Sequence, residues 1–379
     1  MSVRWLQRSV IVTVGTGGVG KTTLAAAIGL EAAALGRRTL VLTIDPARRL
    51  AQALGVQSLG HEPQQIPADR IGGDSPRGAL FAMMLDTKRT FDEIVARWIS
   101  DPERRRTLLQ NPIYRQLTDA LSGSREYSAL EKLAEIHCSG EYEFIVLDTP
   151  PAAHALDFLD APRRVLSFLD GGFLELLPGP GSALGRTGLR WLRFGSELTL
   201  RTLERLTGLA FLGDLSEFFS SFDSLLINFR ERAERTGKLL RDPACGFVLV
   251  AGPDAEQARR AVAFAERLRA EKVHLAGLVV NRVRVWADGE VPDASPAARE
   301  KARAWLEEQL GASAAEALVE VSHRHACAVR RDAEMAQQIE KAVQVEPATS
   351  HRVPLLAEDI HTARGLARLR EHLFPQLPA

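Results

Sequence analysis

The run Gly15-Thr16-Gly17-Gly18-Val19-Gly20-Lys21-Thr22-Thr23 is where residue types and spacing first converge on one chemistry, the grip of a polyphosphate. Glycines at 15, 17, 18 and 20 let successive backbone N–H groups turn inward around phosphate oxygens. Lys21 reaches the β- and γ-phosphates, Thr22 offers a hydroxyl to Mg²⁺, and a helix starting at this point adds the positive end of its dipole. The context fits. Ser9–Val14 is a short β-branched run, and the loop is followed by the helix-prone LAAAIGLEAAALG, so strand, glycine loop and helix follow in the order a phosphate-binding P-loop needs.

Two carboxylates stand where such a loop would use them. Asp45, in Thr43-Ile44-Asp45-Pro46-Ala47-Arg48-Arg49, follows a strand pattern and is placed to orient a water. Asp148 ends the apolar run Phe144-Ile145-Val146-Leu147, where an acid holds the hydration shell of Mg²⁺. Each precedes or nearly precedes proline, so each alone also reads as a helix N-cap. The P-loop in the same sheet tips both toward function.

These groups need a scaffold that gathers strand ends. Further strands are predicted at Thr39–Thr43, Leu80–Leu85, Phe144–Leu147, Gly246–Ala251, Leu275–Val280, Leu318–Val321 and Arg352–Leu356, with amphipathic helices such as Asp254–Ala270 and Ser295–Leu310 between them. The alternation predicts an α/β fold: a P-loop NTPase with a mostly parallel, doubly wound sheet and ligands at the carboxyl ends of its strands. One domain over 1–379 is expected, with an inserted helical subdomain contributed by roughly 87–140 and 157–241.

Composition narrows the partners. The chain has 48 basic and 48 acidic side chains, so no long-range field gathers nucleic acid or an anionic membrane. No run of 18 or more apolar residues and no signal peptide is seen, which reads as a cytoplasmic protein without an integral membrane segment. Cys138, Cys245 and Cys327 form no CxxC pair and are expected as free thiols.

Taken in order, GTGGVGKTT, TIDPARRL, GSREYSALEKL at Gly123–Leu133, LDTPPAAHALDFLDAP at Leu147–Pro162, VVNR at Val279–Arg282 and VPLL at Val353–Leu356 resemble the ArsA family. That family comprises arsenite-pump ATPases and related ATPases that target tail-anchored membrane proteins, within the deviant-Walker branch of P-loop NTPases. The pattern looks most like a bacterial subgroup. The resemblance implies ATP and Mg²⁺ as ligands, and a dimer acting on a membrane-protein client or a transporter. It implies phosphate contacts from Gly17, Gly18, Val19, Gly20 and Lys21, with Gly15 and Thr23 completing the loop and Mg²⁺ on Thr22. It makes Asp45 the water-orienting residue of a first switch, Asp148 the start of a second that holds Mg²⁺ through water, and Asn281 and Pro354 the flanks of the adenine. The residues agree about the base. A guanine reader needs a carboxylate three positions after its Asn, and Arg284 stands there.

One departure bears on mechanism. Deviant-Walker ATPases usually carry a lysine right after the first loop glycine, reaching across a dimer to the partner's nucleotide; this chain has Thr16. A cation supplied in trans is worth on the order of 10³–10⁵ in rate in comparable phosphoryl-transfer enzymes. Two classes follow: an ATP-hydrolysing switch, or a weak regulatory subunit completed in a heterodimer by a paralogue bearing the lysine. Arg48 and Arg49 are another source of positive charge. A spatial-organising ATPase ranks lower, because such proteins lack the long insertion. Within that insertion a stripe of phenylalanines over 211–229 reads as core or as a client groove, after a glycine- and proline-containing connector, Leu177–Ser182. His323, His325 and Cys327 match no closed zinc set, no family thiol arrangement for a metalloid is found, and His154 reads as a packing residue.

Overall fold

The computed structural model describes residues 4–71 apart from Pro46, 78–110 apart from Ser100, 125–149, Asp160, Arg163, 230–357 apart from Asp288 and Ala294, Ile360, and 363–374. Its strands are β1 (Val10–Gly15), β2 (Arg38–Thr43), β3 (Gln64–Gln65), β4 (Ala79–Met84), β5 (Phe144–Asp148), β6 (Cys245–Ala251), β7 (Leu275–Val283) and β8 (Ser350–Pro354). Its helices are α1 (Lys21–Ala34), α2 (Arg49–Ala53), α3 (Ala68–Ile71), α4 (Thr87–Trp98), α5 (Pro102–Gln110), α6 (Arg125–Ser139), α7 (230–241), α8 (Ala255–Ala270), α9 (Pro296–Leu310), α10 (Ala312–Val343) and α11 (Ala363–Leu373).

The strands form one eight-stranded sheet in the order β3-β4-β2-β5-β1-β6-β7-β8. β1 pairs in parallel with β5 on one side and β6 on the other, β2 with β5, and β7 with β6 and β8; only the short β3–β4 pair is antiparallel among these registers. Parallel strands covered on both faces read as continuous apolar runs rather than alternating ones. β1, β5 and β6 are buried at every position. From β1 the chain winds one way to β2 and the other way through β6 to β8, so the strand order reverses beside β1. That switch point is where an α/β sheet binds ligands, past the carboxyl ends of its strands.

α1 has no polar stripe. It is buried at every position from Leu24 to Leu30, because α2, α3 and α11 cover the faces that the sheet leaves open. α11 is tied to it by Arg370, whose Nη2 lies 2.7 Å from Glu31 Oε2. α8 starts at Asp254, whose Oδ1 accepts from Gln257 N at 2.9 Å, and α9 starts at Ser295, whose Oγ accepts from Ala298 N at 3.2 Å with Pro296 following.

The predicted strand Leu318–Val321 is instead part of the 32-residue helix α10. Two valines in a short run weigh less than an Ala- and Glu-rich window that buries Ala315, Ala326, Val329, Ala336, Ile339 and Val343 at helical spacing. Leu318 and Val321 face outward, 47 % and 65 % exposed. The last strand begins and ends two residues earlier than predicted, closing at Pro354; its successor Leu355 donates its N–H to Val283 O at 2.8 Å.

The chain divides into two compact units. The first comprises residues 1–83, 142–156 and 242–379, and carries nearly the whole sheet; the second comprises 84–141 and 157–241. Within the second, α6 and α7 are joined through Glu131, which is buried and accepts from Tyr127 Oη at 3.0 Å, Thr236 Oγ1 at 3.0 Å and Arg232 Nε at 2.6 Å. A buried carboxylate so satisfied is a strong tether, since removing one partner of such a pair typically costs about 3–5 kcal/mol. The Phe-rich stretch 211–229, the connector Leu177–Ser182 and His154 lie outside the described residues. Among the described residues no helix is long and apolar enough to cross a membrane.

Candidate functional site

Three strand ends build the site. β1 delivers the glycine loop, β2 delivers Asp45 and β5 delivers Asp148, and the register sets Asp148 opposite both Thr13 and Thr43. The loop's glycines are used for space and for handedness. A Cβ on Gly15 would lie 2.1 Å from Val250 O of β6, so β1 and β6 could not keep their spacing. Gly20, the N-cap of α1, has φ 95°, and a Cβ there would lie 2.5 Å from Asn281 Nδ2. Gly18 also turns left-handed, with φ 77°. The glycine loop thus turns left-handed at Gly18 and Gly20 directly before the N-terminus of α1.

Lys21 is 6 % exposed, and its Nζ donates to Thr16 O at 2.8 Å. Burial lowers its pKa from 10.5 to about 8; the charge of Asp148 opposes that and the charge of Arg49 adds to it. Asp148 is fully buried. Burial raises its pKa from 3.8 to about 6, against the pull of the Thr22 and Thr43 hydroxyls and the Lys21 ammonium. Near pH 7 both groups are charged, held as a buried pair at the foot of the loop.

A relay joins the two aspartates. Asp45 N donates to Thr43 Oγ1 at 3.2 Å, and Thr43 Oγ1 donates to Asp148 Oδ2 at 3.0 Å. The neighbouring threonines stitch β1 to the end of β5: Thr149 Oγ1 donates to Thr13 O at 2.7 Å and Thr13 Oγ1 to Leu147 O at 3.3 Å. Asp45 itself is 16 % exposed; its Oδ1 accepts from Ala47 N at 3.0 Å, and its Oδ2 lies 3.8 Å from Arg49 Nη1.

Asp148 Oδ1 is left buried with no partner. An orphaned carboxylate oxygen costs free energy unless something meets it. With the Thr22 hydroxyl nearby, it forms an oxygen donor set of the kind a hard cation such as Mg²⁺ takes. The fit to Mg²⁺ therefore stands on the site's own chemistry.

Two cavities open at this point. One, of about 380 Å³, is lined by Gly20, Lys21, Thr22, Asp45, Arg49 and Arg282 among others. The second, of about 530 Å³, is lined by Val19, Asn281, Arg284, Asp332, Met335 and Leu355 among others. The first is lined mainly by polar and cationic side chains, and the second mixes apolar, polar and charged ones. Asn281 lines the second cavity, and its Nδ2 donates to Val19 O at 2.7 Å, tying β7 to the glycine loop. Pro354 closes β8 opposite Val283, and the cavity wall beside it is Leu355. Gly15 and Gly17 shape the loop without lining either cavity, whereas Gly18, Gly20, Lys21, Thr22 and Thr23 line the first. Arg48, expected beside Arg49 as a source of charge, is exposed and belongs to neither lining.

The structure adds a pairing that sequence reading missed. Arg284 Nη1 lies 3.0 Å from Asp332 Oδ1, and the Arg284 amide donates to Asp332 Oδ2 at 3.1 Å. Asp332 is a carboxylate in the lining of the second cavity, 1 % exposed, and it arrives from α10 without any local motif. Thr16 is 6 % exposed with an unpartnered Oγ1, so its side chain is folded in and offers no charge outward. Elsewhere the His and Cys residues do not converge. Cys327 Sγ lies 3.8 Å from His323 Nε2 while His325 stacks on Trp286 at 5.2 Å, and among the described residues no group of three or more His, Cys, Asp or Glu could hold a metal. All three cysteines are free, and burial pushes the Cys245 thiol up to about 12, out of reach of thiolate chemistry.

The sequence model of the anion-transporting ATPases, ArsA, covers residues 8–173, which include the glycine loop, Asp45 and Asp148. Residues 8–173 belong to the ArsA family. The chain is 32 % identical over 148 residues to the ATPase GET3 of Malassezia globosa, covering 39 % of this chain and 40 % of that protein. It is 29 % identical over 177 residues to the arsenical pump-driving ATPase of Escherichia coli, covering 45 % and 27 %. An uncharacterized protein of Streptomyces coelicolor is 32 % identical over 205 residues, covering 48 % of each. The chain thus spans about a quarter to a half of the length of the curated relatives it matches.

Proposed function

We propose that this chain is an ATP-hydrolysing switch of the ArsA type, which binds Mg·ATP at the β1–α1 loop and couples its turnover to a conformational change for a membrane-protein client or a transporter. The observation that carries the reading is Asp148 Oδ1, a buried carboxylate oxygen left without a partner beside Thr22 and Lys21, at the mouth of a glycine loop. In this reading the loop amides and Lys21 hold the β- and γ-phosphates, and Thr22 and Asp148 hold Mg²⁺, the latter through water. Asp45 orients the attacking water. When bound, the ion draws off phosphate charge in the transition state. The Thr43 relay lets Asp45 and Asp148 move as one, a device for passing the state of the nucleotide to the first switch. Asn281 and Leu355, with Pro354 behind, frame the adenine. Guanine is disfavoured because the one buried carboxylate seen in that pocket, Asp332, is already engaged by Arg284. The helical unit formed by 84–141 and 157–241 is the natural place for the client, and the protein works in the cytoplasm as a dimer.

Thr16 favours a second form of this function. Its buried, neutral side chain has nothing to extend toward a partner's nucleotide, which suits a subunit that hydrolyses ATP slowly alone and is completed by a lysine-bearing ArsA-like paralogue. Turnover of the purified chain with and without such a paralogue tests it. Stimulation of at least about a hundredfold supports the heterodimer, and fast turnover by the chain alone removes it.

A further inference from the structure

We propose that Arg282 is a phosphate-binding cation supplied in cis, gripping the part of the phosphate chain nearest the ribose; this rests on the Mg·ATP reading above. Arg282 and Gly18 are the two residues that line both cavities, so the arginine stands at the junction between the phosphate chamber and the base pocket. Its backbone is unusual. Arg282 has φ 63°, a left-handed conformation that costs a non-glycine residue free energy and persists only where its surroundings enforce it.

The enforcement is visible. Arg282 N donates to Asn281 Oδ1 at 2.9 Å, while the same carboxamide donates through Nδ2 to Val19 O at 2.7 Å. One side chain therefore fixes the arginine's backbone and the P-loop together. The β7–β8 ladder also slips between Val280 and Val283, and such an irregularity re-aims the side chains within it.

Charge makes the same point. Four arginines line the two cavities. Arg49 leans on Asp45 at 3.8 Å, while Arg284 at 3.0 Å and Arg331 at 3.9 Å share Asp332. Arg282 has no carboxylate partner among the described residues. An unpaired guanidinium, held by a strained backbone at the mouth of a chamber built for anions, is suited to a phosphate, whose oxygens match its planar fork. The position beside the base pocket selects the phosphates that ATP and ADP share, and distinguishes this contact from one to the γ-phosphate.

Calorimetry on the full chain with Mg²⁺ and, in turn, ATP, ADP and adenosine tests the assignment. Arg282→Asn is the first variant, because asparagine tolerates the left-handed backbone. Its affinity for ATP and for ADP should fall by the same factor, roughly 10- to 100-fold, with adenosine unchanged. Arg282→Glu should lose more than Arg282→Asn, and Arg282→Lys should recover part of the loss. Unchanged ATP and ADP affinity, an equal loss for adenosine, or a loss confined to ATP would each overturn the proposal. If the wild-type chain binds none of the three, it is the Mg·ATP reading that fails.

Discussion

Replacing Asp148 by asparagine separates what the carboxylate does for the ligand from what it costs the fold. Its pKa is displaced by burial from 3.8 to about 6, which corresponds to about 3 kcal/mol held against the folded state once the group ionises. The sign follows from proton counting. Between these two values the folded chain binds more protons than the unfolded chain, so stability falls as pH rises from about 4 to about 6. The cost is absent below that window and fully present above it. Asp148→Asn removes the step, because Thr43 Oγ1 still finds an acceptor but no charge remains to desolvate. Loss of the attraction to Lys21 offsets part of the gain at neutral pH, so the diagnostic quantity is the slope rather than the absolute stability. Hydrogen exchange at β1 and β5 amides, measured without nucleotide from pH 4 to 8, reads the stability of the sheet directly. The wild type should lose about 3 kcal/mol across the window and the variant should lack that loss. Adding Mg·ATP at pH 7.5 should then protect the wild type and leave the variant nearly unchanged. An identical pH slope in both proteins would refute the reasoning.

Other perturbations probe separate parts of the account. Thr43→Val removes both hydrogen bonds of the relay at nearly constant volume, and turnover of Mg·ATP should fall roughly 10- to 100-fold while calorimetric affinity changes by less than about threefold. Gly20→Ala places a Cβ 2.5 Å from Asn281 Nδ2 at φ 95°, so the variant should melt earlier by about 1–3 kcal/mol and bind nucleotide weakly, with Asn281→Ala restoring only the steric part. Arg284→Ala removes the nearest cation from the buried Asp332 carboxylate, leaving it the residue-284 amide and Arg331 at 3.9 Å, and should cost about 1–3 kcal/mol in denaturant titration, most of it recovered in the double variant with Asp332→Asn.

How legible this site is depends on sequence distance. The glycine loop, Lys21 and Thr22 lie within one short run, and the apolar runs before Asp45 and Asp148 mark strand ends, so the parallel sheet and the three loops at its edge follow from local pattern. The misread segment Leu318–Val321 shows the limit of that pattern. A few β-branched residues look the same in a strand or on the solvent face of a long helix, and only the residues buried a turn apart on either side decide. The contacts that complete the site are nonlocal. Asn281 meets Val19 across 262 residues and Arg284 meets Asp332 across 48, with no motif to announce either. Arg282 sits in plain view within the VVNR run, but its role depends on a left-handed backbone that composition does not encode.

The central claim is that the β1–α1 loop, with Lys21 folded into it, grips a nucleoside triphosphate. Calorimetric titration of Mg·ATP into the wild-type chain and into Lys21→Ala tests this most directly. Saturable binding by the wild type, weakened at least about tenfold in the variant, is the predicted result. No binding by the wild type, or equal affinity in both proteins, would contradict it.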